Sequence, residues 1–246
     1  MNFTSTSQKI AASKPIDFSN IFNGSINLFQ KVWLQGFLTI VLTILLILPF
    51  YVLFYLPMII AGIDDPDVIR AEDLPDMAVM VMAVLFPFLM LAIMTISLAF
   101  NAAFLRISKQ KDLNELGSDD YFYFFKNGYL GKTFVLALYA LGVSILGLLA
   151  CFIGVIYVMV PVSLFPAFLA FNDELSAGEI VKASFALGNK NWLVIFGLLI
   201  VLGLIAELGV LLCVVGVFFT AMLSKIPVYF IYKDVFGFEQ PEQLSD

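Results

Sequence analysis

The chain has no histidine, only two cysteines (Cys151 and Cys213), and charge on just 13% of its 246 residues. Without histidine there is no imidazole acid-base group and no Cys-His nucleophile pair, and two cysteines give no zinc-site spacing. Most metal and acyl-transfer chemistry is thereby set aside, and no cofactor is expected. There is no phosphate-cradling glycine loop with its lysine. No span carries the paired acids of an intramembrane protease. Basic residues are too sparse and too spread for a nucleic-acid surface. The cysteines sit in or beside apolar runs, where a free thiol behaves as a small hydrophobe.

Apolar sequence, by contrast, is abundant. Hydrophobic residues make up 61% of the chain, against about 45–50% in soluble domains, whose charged fraction is about 25%. Residues 36–62, 77–105 and 133–172 contain no charge at all, and each run exceeds the roughly 20 residues that cross a bilayer. A water-soluble fold could not bury so much apolar surface, so these are read as membrane spans. The net charge of −6 is local in origin: Asp64, Asp65, Asp67, Glu72, Asp73 and Asp76, six of the nineteen carboxylates, lie in one short stretch. No removable signal peptide is read ahead of the first apolar run.

Two internal similarities organise the chain. Ser25-Ile-Asn-Leu-Phe-Gln-Lys-Val-Trp-Leu-Gln-Gly-Phe37 and Ser184-Phe-Ala-Leu-Gly-Asn-Lys-Asn-Trp-Leu-Val-Ile-Phe196 agree at six of thirteen positions. Cys151-Phe-Ile-Gly154 leads to Ser163-Leu-Phe-Pro166 much as Cys213-Val-Val-Gly216 leads to Ser224-Lys-Ile-Pro227. A weaker echo, Phe-Asn-Ala-Ala-Phe-Leu at 100–105, sets Asn101 at the position of the prolines. The repeating unit is a short amphipathic helix followed by a transmembrane hairpin, with units at about 16–110, 117–174 and 175–234. The expectation is an all-α polytopic membrane bundle of about six transmembrane helices, with a polar N-terminal tail (1–15) and a polar C-terminal tail (235–246). Segments 16–33 and 176–191, each apolar on one helical face, are expected to lie along the membrane interface. The second lead-in, 121–129, is aromatic and less clearly two-faced. Gly142, Gly147 and Gly154 are read as close-packing or turn positions.

Eleven basic residues fall on one side of this topology (Lys9, Lys14, Lys31, Arg106, Lys109, Lys111, Lys126, Lys132, Lys182, Lys190 and Lys233) and Arg70 alone on the other. By the positive-inside rule both termini are cytoplasmic and the acidic loop 62–76 faces outward.

The phrases Ile16-Asp-Phe-Ser-Asn-Ile-Phe, Ala183-Ser-Phe-Ala-Leu-Gly-Asn-Lys-Asn-Trp192 and Ile231-Tyr-Lys-Asp234 resemble the membrane domain found ahead of some bacterial glycerophosphoryl diester phosphodiesterases and its stand-alone inner-membrane relatives. The resemblance covers most of the chain, implies a six-helix protein of the bacterial inner membrane, and supplies no catalytic residue. The soluble catalytic module of the fused enzymes is expected to have no counterpart here.

Three residues stand out as candidates for intramembrane polar or ligand contact. Lys225 is embedded in apolar sequence, where a charge marks a functional site or a lysine whose stem lets the amine snorkel to the headgroups; the snorkelling reading is favoured. Glu207 adjoins the expected outer turn at Gly209 and reads as a solvated turn residue. Asn101 suits interhelical hydrogen bonding and, from its match to Pro166 and Pro227, a point of helix distortion. Pro49, Pro57, Pro87, Pro161, Pro166 and Pro227 all lie in spans, where each frees a carbonyl and can kink its helix. A lipid-like ligand fits such a bundle better than an ion. The residues favour a non-enzymatic membrane protein acting in envelope or lipid homeostasis or as a scaffold, with membrane lipids and another membrane protein as partners. The alternatives are a transporter or channel for a small amphiphile, and a membrane enzyme of unrecognised type.

Overall fold

The computed structural model describes residues 1–60, 76–126, 128–150, 153–212 and 215–238. The acidic loop with Arg70, Cys151, Cys213 and the tail from 239 onward lie outside the described residues, as does the side chain of Asp76. Among the described residues the fold is all-α, without strands: α1 (Phe3–Ala12), α2 (Phe18–Ile60), α3 (Asp76–Asp112), α4 (Tyr129–Leu149), α5 (Ile153–Ser163), α6 (Phe165–Phe171), α7 (Ala177–Lys190), α8 (Trp192–Glu207), α9 (Val215–Thr220) and α10 (Ile226–Phe236).

Five helical segments are long and apolar enough to cross a membrane: Phe18–Ile60, Met77–Asp112, Tyr129–Leu149, Ile153–Phe171 and Trp192–Leu211. The sixth expected span is helical but broken into α9, a 3-10 turn (Ala221–Lys225) and α10. None of its pieces is long enough alone to cross.

Burial in the first and third lead-ins follows one register. Ile21, Ser25, Leu28, Val32, Gly36 and Thr39 are buried on α2, and Ile180, Ser184, Leu187, Asn191, Ile195 and Leu198, each 159 residues later, are buried along α7 and α8. The backbones differ. The third lead-in is a separate helix, started by a capping box in which Ser176 and Glu179 bond reciprocally and ended at Asn191, whose side chain accepts from the Ile16 N–H at 3.4 Å. The first has Val32 at that position and does not stop: lead-in and span form one helix of 43 residues. At 1.5 Å per residue it is roughly 65 Å long, about twice the ~30 Å hydrocarbon core. The expectation of a distinct interfacial helix over 16–33 is therefore corrected, because nothing at Val32 ends the helix as Asn191 does. The second lead-in shrinks to a 3-10 turn, Tyr123–Phe125, with Phe124 buried, since an unbroken run of aromatic rings offers no polar face for a longer helix.

The expected N-terminal tail is also corrected: it forms α1, started by the Asn2 side chain and carrying Thr6 and Ile10 as its buried residues. At the other end α10 runs to Phe236, and the Phe238 ring lies 5.0 Å from that of Phe171 and 5.6 Å from that of Tyr229, so the C-terminal tail begins later than 235.

The two following hairpins close by backbone contact. A Cβ on Gly154 would come within 2.5 Å of the Gly147 carbonyl oxygen, and one on Gly209 within 2.8 Å of Gly216. These pairs need glycine because a side chain would hold the helices apart.

Each lead-in packs on a neighbouring hairpin. Gly188 of α7 faces Pro161 of α5, and the Tyr157 hydroxyl donates to Asn189 at 2.7 Å. The start of α2 lies on α8 and α10, with Phe18 beside Gly197 and Gly24 against the Phe230 ring. The 3-10 turn at 123–125 lies on α3, with Phe100 5.0 Å from Phe125. Third on second, first on third and second on first, the contacts close a ring.

Candidate functional site

Inside this ring is a cavity of about 260 Å³, between α3, α4, the α5–α6 joint, α8 and the turn into α10. Its polar side chains are Ser97 and Asn101 from α3, Ser163 from the end of α5, and Ser224 and Lys225 from the turn before α10; Leu98, Ala137, Ala140, Leu199 and Val228 are among its apolar walls. Two of the three residues singled out in the sequence, Lys225 and Asn101, are thus brought together. Glu207 is not: it is the exposed last residue of α8, outside the cavity.

Proline shapes two sides of the site. Pro166 and Pro227 stand in the first turn of α6 and of α10, where a missing N–H costs nothing. The same ring inside a longer helix would clash with the carbonyl four residues earlier. Each span therefore breaks just before its proline, at Leu164 and at the 3-10 turn ending in Lys225. Three residues ahead of each proline a serine folds back on its own turn: Ser163 Oγ donates to the Val160 carbonyl at 2.7 Å and Ser224 Oγ to that of Ala221 at 2.8 Å. With both protons committed, these hydroxyls offer the cavity oxygen lone pairs only.

At the corresponding place on α3 stands Asn101, and the helix continues through it without a break. The expected distortion is absent there because asparagine retains the backbone N–H that proline lacks. Its half-buried amide instead supplies the cavity with both a donor and an acceptor.

Lys225 caps α10. Its side chain is exposed and lines the open side of the cavity. Among the described residues its amine has no hydrogen-bond or ion-pair partner. Other lysines do. Lys109 pairs with Glu115 at 3.1 Å, Lys111 with Asp119 at 3.0 Å, and Lys126 with Asp120 at 3.5 Å. Lys233 meets Asp112, which also accepts from the Tyr229 hydroxyl at 2.6 Å. Lys132 donates to the carbonyls of Asn172 and Asp173 just beyond α6, and Lys9 to the last carbonyl of α10. These contacts tie one end of the bundle together, several by placing a cation on the negative end of a helix. Lys190 does the same for α1, donating to the Ile10 carbonyl at 2.6 Å.

The serines went unnoticed as site residues in the sequence, although the spacing Ser-x-x-Pro, shared by Ser163 and Ser224, was a usable signal. Among the described residues no cluster of acidic or cysteine side chains is arranged to hold a metal ion. No family model, no curated protein and no solved structure matches this chain.

Proposed function

We propose that this is a non-enzymatic, multi-pass protein of a bacterial inner membrane, with both termini in the cytoplasm, that acts in envelope lipid homeostasis by holding an amphiphile within its bundle. The observation that carries the reading is the half-open cavity at Lys225, where a cation without a protein partner among the described residues lies beside polar side chains drawn from separate spans. Ionisable groups inside membrane segments are costly and mark ligand or ion pathways. A relative of the phosphodiesterase-type membrane domain, built of three helix-and-hairpin units, fits the same picture, with lipid as its partner in the bilayer.

The test is the lipid composition that accompanies the full chain from a mild neutral detergent. Enrichment of one lipid class over the bulk membrane is the expected result, and a composition identical to the bulk rejects the reading. A scaffold for another membrane protein is the second reading, favoured by the outer halves of α2 and α3. Leu45, Leu48, Val52, Met80, Val84 and Phe88 are all exposed there, beside an apolar groove of about 600 Å³ that Phe50, Phe54 and Phe134 help to line. A stoichiometric protein companion in the same preparation would support it.

A further inference from the structure

We infer that the cavity at Lys225 is a binding site for the acidic head of a single-chain anionic amphiphile, with the chain left among the apolar walls. This rests on the lipid-holding reading above and assigns the chemistry of its ligand.

An ammonium in a low-dielectric span is unfavourable without a counter-ion, and the described residues provide none within reach of Lys225. The next basic residue along α10, Lys233, lies eight residues on, about 12 Å of helix from Lys225, so the amine stands apart from the basic end of the bundle. An anion brought by a ligand removes the imbalance.

Hydrogen-bonding capacity narrows the choice. Lys225 and the Asn101 amide N–H can donate to an acid, while Asn101 Oδ1 and the oxygens of Ser163 and Ser224, whose protons go to Val160 and Ala221, accept. An acidic head that also carries an O–H group, such as a monoalkyl phosphate in its singly ionised form, satisfies both sets.

Size and polarity decide between an amphiphile and a free ion. At about 260 Å³ the cavity falls just below the ~300–1,000 Å³ of pockets that enclose a whole drug-sized ligand. It takes the head and the first methylenes of the chain against its apolar walls, and the rest of the chain extends out through its open side. Its apolar walls would strip water from an inorganic anion and return little, whereas an alkyl chain gains with each CH₂ it buries.

The experiment is thermal unfolding of the full chain in a neutral maltoside detergent with decyl phosphate as the probe. Decyl phosphate should raise the midpoint of the native chain in a saturable manner, and Lys225→Met should weaken its apparent affinity tenfold or more. Inorganic phosphate and decanol at matched concentrations should each leave the midpoint unchanged. Ser97→Phe, which keeps the amine and fills the cavity, should abolish the decyl phosphate shift, and it gives an independent result if Lys225→Met does not fold. Equal shifts in the native and Met proteins, a response to inorganic phosphate alone, an equal response to decanol, or full binding by Ser97→Phe would each overturn the assignment. Failure here is separable from failure of the functional reading: a lipid class enriched equally on native and Lys225→Met protein removes this site alone, while a Lys225-dependent shift without any enriched lipid removes the functional reading alone.

Discussion

The amine of Lys190 stands 2.6 Å from the carbonyl oxygen of Ile10, a residue 180 positions earlier. It also lies 2.9 Å from the Ala11 carbonyl oxygen and 2.6 Å from that of Ser13, so one cation closes the C-terminal end of α1. Hydrogen bonds to a charged group contribute about 1.5–3 kcal/mol, and exposure of the lysine puts this set at the low end. Lys190→Met should therefore cost about 1–2 kcal/mol by the same principle. Amide hydrogen exchange should show lost protection confined to 3–13, and unchanged protection there would contradict the docking role.

The start of α7 predicts a dependence on pH. The Glu179 carboxyl is held below its ordinary range, first by the hydrogen bond from the Ser176 hydroxyl and then by that from the Ser176 backbone N–H. A carboxylate whose folded pKa is depressed adds stability that is present above its unfolded value and is lost as pH falls through the lower, folded one. In the native chain the first turn of α7 should fray on acidification below the ordinary carboxylate range. Glu179→Gln, which cannot ionise, should remove that acid-dependent component, and a spin label at Lys182 reports it. Ser176→Ala should cost about 1 kcal/mol, the usual loss for an N-cap.

Glycines on α4 and α5 should divide sharply on substitution. A Cβ at Gly154 would press on the Gly147 backbone, whereas one at Gly142 meets nothing within 4 Å. Gly154→Ala should destabilise by about 1–3 kcal/mol through overpacking. Gly142→Ala should be neutral or stabilising by up to about 1 kcal/mol, since alanine is the better helix former. Unfolding midpoints in detergent test the contrast, and similar values for the two variants would refute the close approach.

Topology is open to a direct labelling test. In a background lacking Cys151 and Cys213, Glu207→Cys should react with an impermeant maleimide added outside the cell, and Lys182→Cys only after the membrane is opened. Labelling of both from outside would reject the cytoplasmic placement of the termini.

What the sequence revealed follows from which interactions are local. Long uncharged runs disclose spans because crossing a bilayer is a requirement on consecutive residues, and the five long apolar helical segments answer to it. The capping box at Ser176 was readable for the same reason. The docking of α1 was not: its composition is polar and its partners, Asn172, Lys190 and Phe236, lie far along the chain. The joining of lead-in and span in α2 turns on Val32 standing where the later segment has Asn191, a single difference that periodicity cannot weigh. Lys225 and Asn101 were each noticeable as polar residues in apolar surroundings. Their meeting depends on how three spans pack, and that is set by the whole ring of contacts.

That ring also imposes an order of events. Lys9 reaches a carbonyl 227 residues downstream, and at the usual ~5–20 residues per second of synthesis at least about 10 seconds separate the two. Throughout that interval α10 is absent, and until Lys190 emerges α1 also lacks the cation that closes its end. The bilayer surface is the one apolar shelter at hand, so the earliest helices wait against lipid until the last emerges, and the protein is closed by its own beginning.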